Sequence, residues 1–225
     1  MAKDLAIVLN NGGLNSAVAT ALAAQKFRPV MVYVEAGESK GARARAAYEQ
    51  QVAHFKPYRE HTLPMPFLSE QGVARPAGAG GSGSAAVAPA AAAGAPLGPR
   101  MAELLPLVAA AAWLAAQYQA NTIYLGLRVG SKGDELSQAT EFLQVWNELI
   151  QMPCGLPELE IVAPVLDLDP WQVVDLGCQV AAPLERTWSC LADGAEPCWA
   201  CRGCRDREAA FQQAARPDPV RKTGR

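Results

Sequence analysis

Apolar and polar positions alternate in blocks along this chain, and the lengths of the blocks separate strands from helices. Residues 5–9, Leu-Ala-Ile-Val-Leu, carry no polar side chain, which predicts a short strand buried on both faces. The polar turn Asn10-Asn11-Gly12-Gly13 follows, and apolar residues at helical spacing then predict a helix over 14–26. A second apolar run predicts a strand over 29–34, and Tyr48, Val52 and Phe55 at helical spacing predict a helix over 41–55. Further along, the pattern predicts a helix over 101–119 kinked at Pro106, a strand over 122–126, a helix over 134–151 and a last strand over 160–166. Asp169 stands where an N-cap belongs and Pro170 at the first helical position, opening a helix over 171–180. Strands and helices in this succession imply an α/β fold with a parallel sheet and right-handed crossovers.

One stretch departs from both periods. Residues 72–99 are built almost wholly of Gly, Ala, Ser and Pro, with Arg75 as their single charge. Too little apolar surface is available there to offset the entropy of ordering, so the stretch reads as a flexible insertion. A mobile lid over a site is the alternative. The run 104–116 is Ala-rich and interrupted by Pro106, which suits a buried helix. Trp113, Trp146 and Trp171 are expected in the core, as are Cys154 and Cys178.

Composition narrows the function classes. The chain has 225 residues and a net charge of −2, enough for one sizeable core and too nearly balanced for a general nucleic-acid or membrane-surface binder. No stretch reads as a signal peptide or a membrane span. The expectation is a cytoplasmic protein in which six cysteines serve as thiols or metal ligands rather than disulfides.

Four of those cysteines form the sharpest motif. Cys198, Cys201 and Cys204 are separated by two residues each, and Cys190 lies eight positions before Cys198. Four thiolates at these spacings can close a tetrahedral shell around Zn2+, with backbone N–H groups turned toward the sulfurs. Arg202, Arg205 and Arg207 are placed to offset the negative charge of such a site. Two other readings compete: an iron–sulfur cluster, whose usual downstream cysteine and proline are missing, and free thiols. With four thiolates bound, zinc keeps no open position, so its role is structural.

The turn after the first strand carries a second motif. A strand, then Asn11-Gly12-Gly13-Leu14-Asn15-Ser16, then a helix is a geometry that sets bare backbone amides and the positive helix end against a phosphate. By itself it is also compatible with an ordinary strand–helix turn. It is neither a Walker A loop nor a GxGxxG fingerprint.

Loop and cysteines together resemble the 7-cyano-7-deazaguanine synthase family of the PP-loop (ATP-pyrophosphatase) superfamily. That family opens on Ser-Gly-Gly-x-Asp-Ser after a strand and closes on Cys…Cys-x-x-Cys-x-x-Cys followed by Arg. Here the opening is Asn11 to Ser16 and the close is Cys190, Cys198, Cys201, Cys204 and then Arg207. Glu35-Ala36-Gly37-Glu38, Pro99-Arg100-Met101, Leu125-Gly126, Glu141-Phe142 and Ala163-Pro164 also fall in register with family segments. The resemblance implies a Rossmann-like sheet with helices on both faces, of the adenine nucleotide α-hydrolase type, spanning 1–189. It implies a zinc knuckle over 190–207 and a C-terminal helix and tail over 208–225. It places ATP phosphates at Asn11, Gly12, Gly13, Asn15, Ser16 and Arg100, with Mg2+ beside them. The reaction implied is adenylation of a carboxylate, 7-carboxy-7-deazaguanine, and its conversion through an amide to a nitrile. Partners implied are ATP and a small-molecule carboxylate, with a homodimer compatible and direct nucleic-acid binding disfavoured by the lack of a basic arm.

The chain departs from the pattern at the chemistry. Asn11 and Asn15 stand for the family's first loop Ser and its Asp, and an amide lacks the charge that helps hold Mg2+. Pro170 and Gln172 replace an expected lysine and glutamate, and the substrate segment has become Ser131 and then Gly133 to Gln138. Lys40, Arg43, Arg45, Arg100, Arg128 and Lys132 are candidates for replacing lost positive charge; each alone also suits a solvated surface. A catalytically impaired homologue acting as a nucleotide-binding or partner-binding module is therefore the second reading. Another PP-loop chemistry, adenylation of a nucleic-acid base, is the third.

Overall fold

The computed structural model describes residues 4–35, 41–66, 68, 101–131, 134–192 and 194–221, and the backbone alone of 97–100. Among the described residues, five strands form one sheet: β1 (Leu5–Leu9), β2 (Arg28–Glu35), β3 (Arg59–Pro64), β4 (Thr122–Leu125) and β5 (Glu160–Val162). Their order is β3-β2-β1-β4-β5, parallel at every pairing. Six helices of the described residues accompany them: α1 (Leu14–Lys26), α2 (Ala42–Phe55), α3 (Leu97–Tyr118), α4 (Glu135–Cys154), α5 (Pro170–Gln179) and α6 (Arg202–Gln213). A short 3-10 turn, Leu184–Arg186, leads into the cysteine segment.

The central strand shows why its sequence is apolar throughout. Ile7 and Leu9 face one core with Val30 and Val32 of β2, Val108 and Ala111 of α3, and Leu143 and Trp146 of α4. Ala6 and Val8, the alternate residues, face the other side with Ala23 of α1. Beyond them, Val18 of α1 packs with Val173 and Val174 of α5 and Phe211 of α6. Met31 and Tyr33 of β2 meet Tyr48 of α2 on that same alternate set of positions. A strand with helices against both faces has no solvent side, so period-2 polarity disappears. The α/β class and the layered, doubly covered sheet are as the sequence implied.

Five expectations need correction. Strand β3 was missed because Arg-Glu-His-Thr-Leu-Pro is polar: it lies at the sheet edge with every residue exposed or half-buried, where charge is tolerated. The last strand is shorter than 160–166 and stops at Val162; Pro164 has no N–H for a ladder, and Leu166 N–H turns back to the Ala163 carbonyl. Trp146 is buried, but Trp113 is 60% and Trp171 39% exposed. Helix α3 therefore buries one side only: Val108, Ala111 and Ala115 enter the core while Leu105 and Trp113 stay outside. Cys178 is exposed rather than core; Cys154, half-buried, donates to the Ala112 carbonyl at 3.4 Å. Residues 72–96 of the expected insertion lie outside the described residues, while 97–99 belong to the backbone of the first turn of α3 rather than to a flexible stretch.

The strand order has one functional consequence. The chain runs outward from β1 to β3 and then returns to lay β4 on the other side of β1. Such a reversal opens a crevice beyond the carboxyl ends of the two neighbouring strands, where ligands of open α/β sheets bind.

Candidate functional site

The turn after β1 sits at that reversal, and its shape is fixed by buried side chains. Asn10 is 2% exposed and makes the most of its amide. Its Nδ2 donates to Thr20 Oγ1 and to Gln51 Oε1, both at 2.8 Å, and its Oδ1 accepts the Gly12 N–H at 2.8 Å. Asn11 Oδ1 accepts the Gly13 N–H at 3.0 Å and the Ser16 hydroxyl at 2.7 Å. These are Asx turns, in which a short amide side chain stands in for a backbone acceptor.

The same contacts revise what the loop offers a ligand. The Gly12 and Gly13 amides, expected to be bare, are already bonded to Asn10 and Asn11. The amides that remain are those of Leu14, Asn15 and Ser16, the first turn of α1, whose N-cap is Gly13. Gly12 takes φ +79°, and a Cβ on it would lie 2.1 Å from the Ala44 carbonyl oxygen of α2. The second glycine of the pair therefore begins the helix, while the first makes the bend against α2. On the β4 side, Gly126 comes so close to α1 that a Cβ there would meet the Ser16 nitrogen at 2.6 Å. Asn15 and Ser16 thus lie at the mouth between β1 and β4.

Other loops reach the same edge of the sheet. The Val129 and Gly130 N–H groups donate to the Leu166 carbonyl, joining the segments after β4 and β5. Ser131 Oγ stands 3.4 Å from Asp169 Oδ1, and Arg128 Nη1 3.5 Å from the Leu168 carbonyl. Gln172, in place of the family's glutamate, closes a capping box: its Oε1 accepts the Asp169 N–H at 2.7 Å. Arg45 pairs with Glu35 and Glu49. Arg100 lies on α3, but its side chain, with Lys40, Lys132, Gly133 and residues 36–38, lies outside the described residues.

The cysteines converge as expected. The Sγ atoms of Cys190, Cys198, Cys201 and Cys204 all lie within 4.8 Å of one another, with Cys190 to Cys198 at 3.5 Å and Cys190 to Cys201 at 3.9 Å. A tetrahedron of sulfurs at about 2.3 Å from zinc has edges of about 3.8 Å, so the donor set fits such an ion. Backbone N–H groups donate to the sulfurs: Leu191 to Cys201, Ala192 and Cys198 to Cys190, and Cys201 to Cys198, at 3.3–3.4 Å. Amides of Ala200 and Cys201 bring the Cys198 thiol down to about 6, whereas burial pushes Cys190 and Cys204 up. Trp199 adopts φ +53°, tightening the turn between Cys198 and Cys201.

Arg207 does not neutralise the cysteines. It is buried, with Nε and Nη2 on the two carboxylate oxygens of Asp218 at 2.7 and 2.8 Å. Its Nη1 donates to Thr187 Oγ1 at 2.6 Å and its Nη2 also to the Leu184 carbonyl at 3.1 Å. The arginine after the last cysteine is a structural tie between α6, the tail and residues 184–187. Arg202 is paired with Asp206 at 3.4 Å.

Sequence reasoning overlooked Asn10 and Gln51, and only Asn10 had a signal in the sequence. Asn10 is a polar residue attached directly to a fully apolar strand. Gln51 shares the buried face of α2 with Tyr48 and is itself 0% exposed; a buried amide needs partners and so marks a junction.

A doubly wound α/β sheet with a glycine loop at its reversal point and a four-cysteine knuckle beyond its last strand defines the class of protein. The family model described as Queuosine biosynthesis protein QueC matches residues 5–215, and the chain belongs to that family. It is similar to 7-cyano-7-deazaguanine synthases of Chlorobium chlorochromatii (27% identical; 96% of this chain and 94% of the relative) and Chloroherpeton thalassium (28%; 96% and 95%). Similarity to the synthase of Methanothrix thermoacetophila is 32% over 116 residues, about half of each length (51% and 52%). Among solved structures, a predicted subunit of tRNA methyltransferase from Methanocaldococcus jannaschii is similar with a TM-score of 0.46 and 12% identity, over 97% of this chain and 91% of that one.

Proposed function

We propose that the chain binds ATP at the carboxyl end of β1 and uses it to activate a carboxylate of deazapurine type for C–N bond formation. The observation that carries this reading is the first turn of α1, Leu14 to Ser16, half-buried at Leu14 and Asn15 and buried at Ser16, set at the β1/β4 reversal in a member of the queuosine-biosynthesis family. Anions are stabilised there by unpaired amides and the helix dipole. In this reading the phosphates lie along Asn11, Gly12, Gly13, Asn15 and Ser16, with Arg100 beside them. Gly12 and Gly13 supply the bend rather than donors, and Ser16 Oγ exchanges its bond to Asn11 for one to phosphate. The carboxylate attacks the α-phosphorus, pyrophosphate leaves, and ammonia displaces AMP to give the amide; a second ATP drives loss of water to the nitrile. Asn15 would offer Mg2+ an amide oxygen in place of a carboxylate, and the ion would supply neutralising charge for the triphosphate.

Zinc is the metal we assign to Cys190, Cys198, Cys201 and Cys204, a domain boundary falling at 189/190. Four thiolates leave it no open position, so it supplies structure and no Lewis acid. The test is calorimetric titration with ATP and Mg2+, paired with pyrophosphate release in the presence of 7-carboxy-7-deazaguanine and ammonia. Saturable binding with substrate-dependent release supports the proposal. Binding without release for this or related carboxylates favours a nucleotide-binding module, and no binding sinks both.

A further inference from the structure

Between loop and cysteines runs a set of contacts that neither site needs by itself. Gln51 of α2 is fully buried and every part of its amide is engaged. Its Oε1 accepts from Asn10 at 2.8 Å, while Nε2 donates to the Gly12 carbonyl at 3.1 Å and to the Arg186 carbonyl at 3.0 Å. The Gly12 carbonyl accepts a second bond, from the Trp188 N–H at 2.9 Å. Arg186 Nη1 reaches back to the Gln50 carbonyl at 3.2 Å. Two residues after Trp188 comes Cys190.

The other side of this segment is held by α6. That helix starts at Arg202, between Cys201 and Cys204, and one turn on its Arg207 holds Thr187 and Leu184. Residues 184–190 are therefore gripped by the loop and α2, by α6, and by the sulfur cluster. An ion joining Cys190 to Cys204 fixes the end of the segment and the start of the helix together. Without it, Cys190 and Cys204 lose that shared anchor, and the hydrogen bonds of residues 184–188 hold the segment alone. Loosening them takes the Arg186 carbonyl from Gln51 Nε2 and the Trp188 N–H from the Gly12 carbonyl, leaving each with only the other in a buried place, a costly state that reshaping of the loop would relieve.

We propose that Gln51 is a positioning residue that couples occupancy of the four-thiolate site to the shape of the phosphate loop. Metal at the cysteines holds the loop in its nucleotide-receiving form, and bound nucleotide slows loss of the metal. The proposal rests on the reading that the loop takes ATP. Coupling between two binding equilibria is reciprocal: the factor by which metal strengthens ATP binding is the factor by which ATP strengthens metal binding.

The experiment uses the full chain loaded with zinc and follows transfer of zinc to a chromophoric chelator, with and without saturating MgATP. In the wild type, MgATP should slow transfer at least about 5-fold, the equivalent of one hydrogen bond. Gln51→Glu keeps the shape but turns an acceptor toward two carbonyls. It should weaken ATP binding and speed zinc transfer, each at least about 10-fold, and abolish the effect of ATP on transfer. Arg186→Met, at a more exposed position, should move both in the same direction by about 2- to 3-fold and serves if Gln51→Glu does not fold. ATP binding with transfer rates indifferent to ATP and to both variants overturns the coupling alone. Absence of ATP binding to the zinc-loaded wild type overturns the nucleotide reading, and the coupling with it.

Discussion

The two ends of this chain hold their shapes by different means. At the knuckle, the groups that would meet a ligand are the same groups the sequence advertises: four sulfurs, within 4.8 Å of each other. At the loop after β1, the advertised groups are occupied. Asn10 and Asn11 take the amides of Gly12 and Gly13, and the donors left over belong to an unremarkable Leu-Asn-Ser. A metal site is written in side chains and survives only if they do. A phosphate loop is written in backbone conformation, so its side chains can change while its bend persists.

Removing a sulfur should therefore produce the largest effect. Cys204 is 1% exposed and lies in the first turn of α6. Cys204→Ser should lose most bound zinc by elemental analysis and lower Tm by more than about 10 °C, because binding energy of a structural metal is folding energy. Retention of full zinc and Tm would mean that the knuckle stands without its metal. Next in size is Arg207→Met, which strands Asp218, itself 5% exposed at the side chain. Breaking one partner of a buried pair costs about 3–5 kcal/mol, read by denaturant unfolding. Adding Asp218→Asn should recover part of that loss. If the single variant is as stable as the wild type, Arg207 is not the tie described.

The adjacent glycines separate bend from helix start. Gly12→Ala puts a Cβ 2.1 Å from a backbone oxygen at φ +79° and should cost about 3 kcal/mol, with weaker ATP binding. Gly13→Ala brings its Cβ only to the Asn11 side chain at 3.0 Å, at an ordinary φ, and should cost less than about 1 kcal/mol. Equal effects at the two positions would erase the distinction between them.

Legibility in the sequence followed the same division. Strands buried on both faces, β1, β2 and β4, were plain from apolar runs, because a parallel strand under two helix layers has no reason to carry charge. Edge strand β3 was hidden for the opposite reason. Trp113 and Cys178 were misplaced because residue type reports an average preference, while each helix buries only the face its neighbours cover. Spacing sufficed for the four cysteines, since a metal constrains distance directly. Gln51 and Asn10 could not be placed so easily: their importance lies in partners 41 and 135 positions away, and no local pattern encodes such separation.

The smallest and most discriminating change concerns Asn15. It occupies the second position of α1, whose first turn has no acidic residue. Asn15→Asp places a carboxylate on the positive end of the helix, which should raise stability by about 0.5 kcal/mol with no nucleotide present. Toward ATP alone the new charge is repulsive, so affinity in EDTA should fall. Toward ATP with Mg2+ it is attractive, because a hard cation prefers carboxylate oxygen, and affinity should rise. Turnover of any activated carboxylate should rise with it, by about 10-fold, if the loop still delivers the triphosphate in line. The opposite signs in EDTA and in Mg2+ are the signature of an ion bound at this position. A gain in stability with no change in either affinity would show that Asn15 caps a helix whose phosphate is gone.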